Sequence, residues 1–360
     1  MQEVISTYDP KTQEAVKLLS GMIEIQSFSR EEGDVANYMD SFFRKKEISP
    51  IRSGHNLWVK SKHWDDSKPT ILLNSHIDTV KPASLYTLDP YKAQIIDGKL
   101  FGLGSNDAGG PLVCLIQAFL HYQDQKDLPY NLILAASAEE EISGANGVAS
   151  ILPELGKIAL GIVGEPTLMD MAVAEKGLVV LDCEAKGVSG HAARDEGENA
   201  IYKALTEIEK LKSFQFEKES PYLGPVKKTV TLIEAGMQHN VVPDSCKFVV
   251  DVRTTDAYSN AETVEIIDAL MDVAVCPRSI RLNSSGLSQE HPVVKRGESL
   301  GMKKYGSPTL SDQALMPFDT VKIGPGDSAR SHTADEYIGI DEIDAGIKGY
   351  IDLLDGLEIS

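Results

Sequence analysis

Three stretches of the chain are apolar at almost every position, and each ends in acids or a histidine. Ile71-Leu72-Leu73 leads to His76 and Asp78, Tyr130 to Ala136 leads to Glu139-Glu140-Glu141, and Ile158 to Val163 leads to Glu165. Short continuous apolar runs bounded by polar residues read as strands buried on both faces. Elsewhere in this half the spacing turns helical. Ala15, Val16, Leu18, Leu19, Met22, Ile23 and Ile25 predict an amphipathic helix within 11–27, and Val35, Tyr38, Met39, Phe42 and Phe43 predict another within 31–47. A short strand is expected at 56–60, and a helix from about Pro111 to Tyr122, with proline in its first turn. Strands alternating with helices predict an α/β fold with a mostly parallel mixed sheet flanked by helices.

After about residue 173 the texture changes. Strands are expected at 177–185, 229–234 and 246–253, and helices at 197–212 and 259–274. The order strand–helix–strand–strand–helix predicts a compact α+β unit over 173–286, inserted into a larger domain of 1–172 and 287–360. Leu310 to Met316 and Thr320 to Gly324 are short apolar pieces, and a last helix is expected at 341–355. No repeat of fixed period is visible.

Charge narrows the function classes. Asp+Glu number 54 against Lys+Arg 35, a net charge of −19, which argues against nucleic acid or an anionic membrane as partner. No apolar stretch approaches the roughly 18 residues of a membrane span. Met1-Gln2-Glu3-Val4 has no basic segment before an apolar run, so no secretion signal is expected. Cys114, Cys183, Cys246 and Cys276 are scattered, which points to buried reduced thiols in a cytoplasmic protein rather than to a thiolate metal site.

The polar ends of the strands carry the candidate chemistry. His76 and Asp78 are two apart, so their side chains share one side. The imidazole could bind a metal while the carboxylate holds its orientation, or the pair could simply close the strand. Glu139–Glu141 would be a solvated charge run in isolation, but it follows a core strand directly, where ligands collect in open α/β sheets. The glycine-rich Gly98-to-Gly110 segment is not a dinucleotide loop, because the third fingerprint glycine would fall on Asp107. Gly324 to Glu336 adds His332 after a glycine loop. Two imidazoles and several carboxylates suit one or two divalent ions such as zinc, cobalt or manganese.

These segments together resemble the di-zinc metallohydrolase family of acetylornithine deacetylase, succinyl-diaminopimelate desuccinylase, aminoacylase and glutamate carboxypeptidase. The resemblance rests on Ser75-His76-Ile77-Asp78-Thr79-Val80, Gly102-Leu103-Gly104-Ser105-Asn106-Asp107, Glu139-Glu140-Glu141, Gly164-Glu165-Pro166-Thr167 and the Gly324-to-His332 loop, in that order. It implies a zinc-exopeptidase-like domain with a ferredoxin-like lid and dimerisation domain. It also implies two zinc ions, one on His76, Asp107 and Glu165, the other on Asp107, Glu141 and His332. Asp78 would orient His76, and Glu140 would be the general base; Glu139 receives no role. His191 would stabilise the oxyanion from the other subunit of a homodimer. Asn240, Arg253 and, more remotely, Lys176 would contact substrate, although Arg253 would equally suit a structural ion pair. Leu103 and Gly109 stand where relatives commonly carry Arg and Lys. The implied activity is hydrolysis of a small N-acyl amino acid, best matched to N-acetyl- or N-succinyl-ornithine in arginine biosynthesis. A dipeptidase or carboxypeptidase, or a catalytically inactive metal-holding interaction protein, are the other expectations.

Overall fold

The computed structural model describes residues 5–359; Met1-Gln2-Glu3-Val4, on which the expectation of no secretion signal rests, lies outside them. In chain order the elements are α1 (Pro10–Ile23), α2 (Gly33–Lys45), β1 (Ile51–Ser53), β2 (Asn56–Lys60), β3 (Thr70–His76), β4 (Gln94–Ile96), β5 (Lys99–Phe101), α3 (Gly110–Tyr122) and β6 (Asn131–Ser137). There follow α4 (Val148–Leu155), β7 (Leu160–Val163), β8 (Met171–Glu175), β9 (Gly177–Lys186), β10 (Gly190–His191), α5 (Ala200–Ser213), β11 (Lys227–Ala235), β12 (Val241–Val242) and β13 (Ser245–Thr254). The chain ends with α6 (Asn260–Leu270), β14 (Ala274–Pro277), β15 (Ser285–Gly286), α7 (Pro292–Ser299), β16 (Lys304–Ser307), β17 (Thr320–Lys322), β18 (Tyr337–Gly339) and α8 (Ile340–Leu354). Two compact units result: residues 5–173, 287–305 and 311–359, and residues 174–286 with 306–310.

The first unit is built on a mixed sheet whose strands run β1–β2–β6–β3–β7–β17–β8. The four central strands β6, β3, β7 and β17 are mutually parallel, and antiparallel strands flank them. Every residue of β3 and β6 is buried, as the continuous apolar runs require of strands covered on both faces. On one side Trp58, Leu72, Ile133 and Val163 pack with Val148, Ile151 and Leu155 of α4. A small antiparallel sheet, β18–β5–β4, sets Phe101 opposite Tyr337. Helix α4 and the three-residue strands were not anticipated, because segments this short carry too few positions for a period to show.

The second unit runs β9–α5–β11–β13–α6–β14 along the chain, with the antiparallel sheet order β11–β13–β9–β14, the ferredoxin-like arrangement. Alternate residues of β9 and β13, among them Val179, Leu181, Phe248 and Val250, turn inward onto Ala200, Ala204 and Leu211 of α5 and Ile267 of α6. Helix α6 starts with a reciprocal cap, in which Ser259 accepts from the Glu262 amide and Glu262 from the Ser259 amide. It stops at Leu270, short of the expected 274, where the chain turns into edge strand β14. That strand leaves Cys276 exposed, whereas the other three cysteines are buried as expected. Among the described residues no helix is long and apolar enough to cross a membrane.

Candidate metal centre

The parallel strands β6, β3, β7 and β17 all end on one edge of the sheet, where such folds collect ligands. His76 closes β3, Glu139–Glu141 follow β6, Glu165 follows β7, and the loop to His332 follows β17. Asp107 arrives from the turn Ser105–Gly109 that precedes α3. The structure gathers these residues into two groups. Ligand atoms of His76, Asp107 and Glu165 lie within 4.8 Å of one another, as do those of Asp107, Glu141 and His332. Asp107 belongs to both, with Oδ1 3.2 Å from His76 Nε2 and Oδ2 3.8 Å from His332 Nε2. His332 Nε2 is also 3.0 Å from Glu141 Oε2, and His76 Nε2 is 3.9 Å from Glu165 Oε1 and 4.0 Å from Glu140 Oε2.

Asp78 acts differently from the expectation that its carboxylate orients His76. His76 Nδ1 lies 2.8 Å from the main-chain carbonyl oxygen of Asp78 and 3.5 Å from its carboxylate. A carbonyl only accepts, so Nδ1 carries a proton, and Nε2 is the ring nitrogen that faces the cluster. The Asp78 carboxylate instead accepts from Ser29 Oγ at 2.7 Å and from the amides of Glu140 at 3.0 Å and Glu141 at 3.1 Å. It therefore holds the backbone of Glu140 and Glu141 together.

The electrostatics call for a cation. Burial, then the Asp107 carboxylate, pushes Glu165 up to about 8. Burial pushes Glu140 well above the carboxylate range against the pull of His76, with Glu165, Asp312 and Glu141 adding to the rise. Burial opposes the His76 imidazolium, yet the carboxylates of Asp107 and Asp78 raise it well above its usual value. Hydrogen bonding to Glu141 lifts His332 to about 9. Like charges crowded out of water are stabilised by a divalent ion, and a set of imidazoles and carboxylates without thiolate suits zinc, cobalt or manganese. The residues present thus fit a two-metal site, in which Asp107 would belong to both ligand groups.

The sequence profile of Peptidase family M20/M25/M40 matches residues 72–356. The chain belongs to this family. It is a metal-dependent hydrolase of the amidohydrolase and peptidase type. A Pyrobaculum aerophilum protein that carries the provisional name LysW-lysine/LysW-ornithine hydrolase is 26% identical over 338 residues, covering 92% of this chain and 94% of the relative. A Paracoccidioides brasiliensis protein provisionally named a carboxypeptidase is 28% identical over 371 residues, covering 92% of this chain and 83% of the relative. Among solved structures, the Bacillus cereus aminopeptidase PepT superposes with a TM-score of 0.76 at 17% identity, over 96% of this chain and 98% of that one, which shows the shared fold.

The remaining expected site residues of this M20 chain lie in its second unit. His191 of β10 pairs with Val241 of β12, and the Asn240 carbonyl accepts from the Ala192 amide, so His191 and Asn240 share one small ribbon. His191 Nδ1 accepts from the Ala193 amide at 3.1 Å, which leaves Nε2 as the ring nitrogen able to donate. Arg253 makes a two-pronged pair with Asp251, at 2.9 and 3.1 Å, the structural alternative foreseen for it. Lys176 is pushed down by burial and by the neighbouring cations Lys227 and Arg253. Lys227 and Arg253 sit directly opposite on β11 and β13.

The two family departures have physical reasons. Leu103 is buried, and a Cβ at Gly109 would come within 2.5 Å of the Gly104 carbonyl oxygen, so this backbone has no room for a side chain there. Glu32, Asp312 and Glu336 are among the buried acids that the sequence left unassigned. Glu32 accepts from the amides of Arg30 and Glu139 and meets His55 Nδ1 at 2.6 Å. Asp312 accepts from Asn74 Nδ2 and Ser137 Oγ, and Glu336 accepts from three amides around Asp107. The available signal was an acid inside or beside an apolar piece, such as Asp312 within Leu310–Met316.

Proposed function

We propose that this M20 hydrolase cleaves the amide bond of a small N-acyl amino acid, with N-acetyl- or N-succinyl-ornithine as the substrate and arginine biosynthesis as the setting. The observation that carries the reading is the arrangement around Asp107: two histidine–carboxylate groups share that one carboxylate, and Glu140 stands beside His76 at 4.0 Å. His76, Asp107 and Glu165 would hold one zinc ion, and Asp107, Glu141 and His332 the other, with cobalt or manganese as substitutes. When bound, the ions would supply Lewis-acid polarisation of the amide carbonyl and acidify water.

The chain's own residues supply the proton path. Glu140 takes the proton of the attacking water and delivers it to the leaving amine nitrogen as the C–N bond breaks. The Asp78 carboxylate keeps Glu140 and Glu141 in register through their amides. His191, through Nε2, would donate to the oxyanion from the other subunit of a homodimer formed through the second unit. Asn240, Arg253 and Lys176 would contact the substrate. Lys176, close enough to Lys227 and Arg253 to feel their charge, would suit an anionic substrate group such as a carboxylate.

The provisional name of the Pyrobaculum relative, with lysine and ornithine in it, supports the ornithine side chain. The carboxypeptidase name of the Paracoccidioides relative favours a second reading, a dipeptidase or carboxypeptidase of the same family. A panel of N-acetyl- and N-succinyl-ornithine against dipeptides, with zinc-loaded protein and with Glu140→Gln, decides between them. Acylated ornithines are expected to be hydrolysed at least tenfold faster than any dipeptide, and Glu140→Gln to abolish turnover. Faster cleavage of dipeptides would replace this reading with the second one.

A further inference from the structure

We propose that Glu336 is a positioning residue of the metal centre, fixing the loop that carries Asp107 and tying it to the segment that carries His332. The proposal rests on the reading of Asp107 and His332 as ligands. It begins with strand register. Phe101 at the end of β5 faces Tyr337 at the start of β18, so the chain leaving β5 runs past Glu336 as it enters β18. The Glu336 carbonyl accepts from the Gly102 amide at 3.0 Å. Its carboxylate then gathers the next amides: Oε2 accepts from Gly104 at 2.9 Å, and Oε1 from Asn106 at 2.8 Å and Asp107 at 2.9 Å.

The side chain is 2% exposed, and a buried carboxylate is tolerated only where such donors replace its water. Gly104 makes the convergence possible. It adopts φ +72°, and a Cβ there would meet Thr79 Cγ2 at 2.6 Å. A second tie runs parallel to the first: Asn106 Oδ1 accepts from the Asp327 amide, and Asn106 Nδ2 donates to the Asp327 carbonyl, at the start of the turn that leads to His332. Next to Glu336, the Asp335 carboxylate accepts from the Thr87 amide and hydroxyl and the Leu88 amide, which anchors the far side of the His332 segment. Asp107 and His332 come from segments more than 200 residues apart, and Glu336 is the group whose hydrogen bonds set one against the other.

An amide in its place is close in volume and wrong in chemistry. A glutamine has one acceptor oxygen and one NH2 donor, so either Gly104 or the Asn106–Asp107 pair would face a donor. The test is zinc titration into the metal-stripped full chain at 25 °C, below its melting temperature, for native protein, Glu336→Gln, Glu336→Asp and Glu141→Ala. Cobalt absorption spectra and kcat and KM at saturating zinc accompany it. For Glu336→Gln the account expects zinc affinity weakened about 10–100-fold, most at the site shared by Asp107, Glu141 and His332, which is the usual effect of losing a ligand-supporting contact. It also expects an altered cobalt spectrum and a lower kcat at unchanged KM.

A residue that merely closes the fold would lower the melting temperature and leave zinc affinity in the folded protein untouched; affinity within twofold of native overturns the proposal. Should Glu336→Gln not fold, Glu336→Asp carries the same criterion with the charge kept and the reach shortened. Glu141→Ala separates the two levels of the argument. If it loses one ion while Glu336→Gln binds as native, the positioning role alone fails. If it keeps both ions, the ligand reading beneath the proposal fails.

Discussion

Replacing Asp78 by asparagine divides metal binding from catalysis, and the structure sets the size of the effect. Asp78 Oδ1 accepts from the Glu140 amide at 3.0 Å, and Oδ2 accepts from Ser29 Oγ at 2.7 Å and the Glu141 amide at 3.1 Å. Asparagine keeps one acceptor oxygen. Ser29 can rotate its hydroxyl to accommodate the new NH2, but the amide of either Glu140 or Glu141 must then face a donor. A buried donor left unsatisfied costs about 1–3 kcal/mol, and each 1.4 kcal/mol is tenfold. If that cost falls on the placement of Glu140, kcat drops about 5- to 150-fold. The link to His76 survives, because His76 Nδ1 bonds to the main-chain carbonyl of residue 78, which the substitution does not touch. Asp78→Asn should therefore keep most of its metal, more than His76→Ala does, while turning over slowly. The assay pairs metal analysis after desalting with kcat at saturating zinc on whichever acylated amino acid the native protein cleaves. Metal loss equal to that of His76→Ala, or an unchanged kcat, would refute the division of roles.

Other perturbations have equally definite outcomes. His76→Ala removes a ligand from the group with Asp107 and Glu165 only, so metal analysis should show one ion lost and the other, on Asp107, Glu141 and His332, kept. Leu72 is fully buried in β3, and Leu72→Ala should cost about 2–5 kcal/mol in a urea unfolding series. Ser259→Ala breaks the reciprocal cap of α6 and should cost about 1 kcal/mol in the same experiment, with metal content unchanged. Burial raises Glu342, but the Arg330 guanidinium and the Gly339 amide outweigh it and hold the carboxyl below its usual value. A carboxyl lowered on folding contributes stability above its unfolded value of about 4.3, and that contribution fades as pH falls through the lower folded value. Native protein should thus be more stable than Glu342→Gln at pH 7, with the gap narrowing below about pH 4 in denaturant melts.

The architecture was legible where one period dominated. The runs at 71–73, 130–136 and 158–163 are apolar throughout because their strands are covered on both faces, and the polar residue that ends each run marks the open edge of the sheet. The same reasoning put His76, Glu141 and Glu165 near one another before any coordinates. Asp107 and His332 were harder, since they lie on loops whose path is set by contacts over 200 residues away; their glycine-rich segments marked them as candidates, and motif resemblance assigned them to particular ions. What stayed hidden were acids whose partners carry no signal in the sequence. Glu32 and Glu336 bind main-chain N–H groups, which every residue offers, and Asp312 binds the side chains of Asn74 and Ser137, which lie far from it along the chain. Asp78 shows the same limit in a residue that was noticed. Its proximity to His76 suggested a side-chain bond, whereas in the fold the main-chain carbonyl meets the imidazole and the carboxylate turns to the amides of Glu140 and Glu141.

The central claim is that Asp107 stands between two ions. It is tested most directly by the metal stoichiometry of purified protein, stripped and then titrated with zinc in a calorimeter. The account predicts two equivalents per native chain, and impaired binding at both sites for Asp107→Ala, because that residue belongs to both ligand groups. A native stoichiometry near zero after zinc addition, or an Asp107→Ala protein that still binds two ions with native affinity, would contradict it.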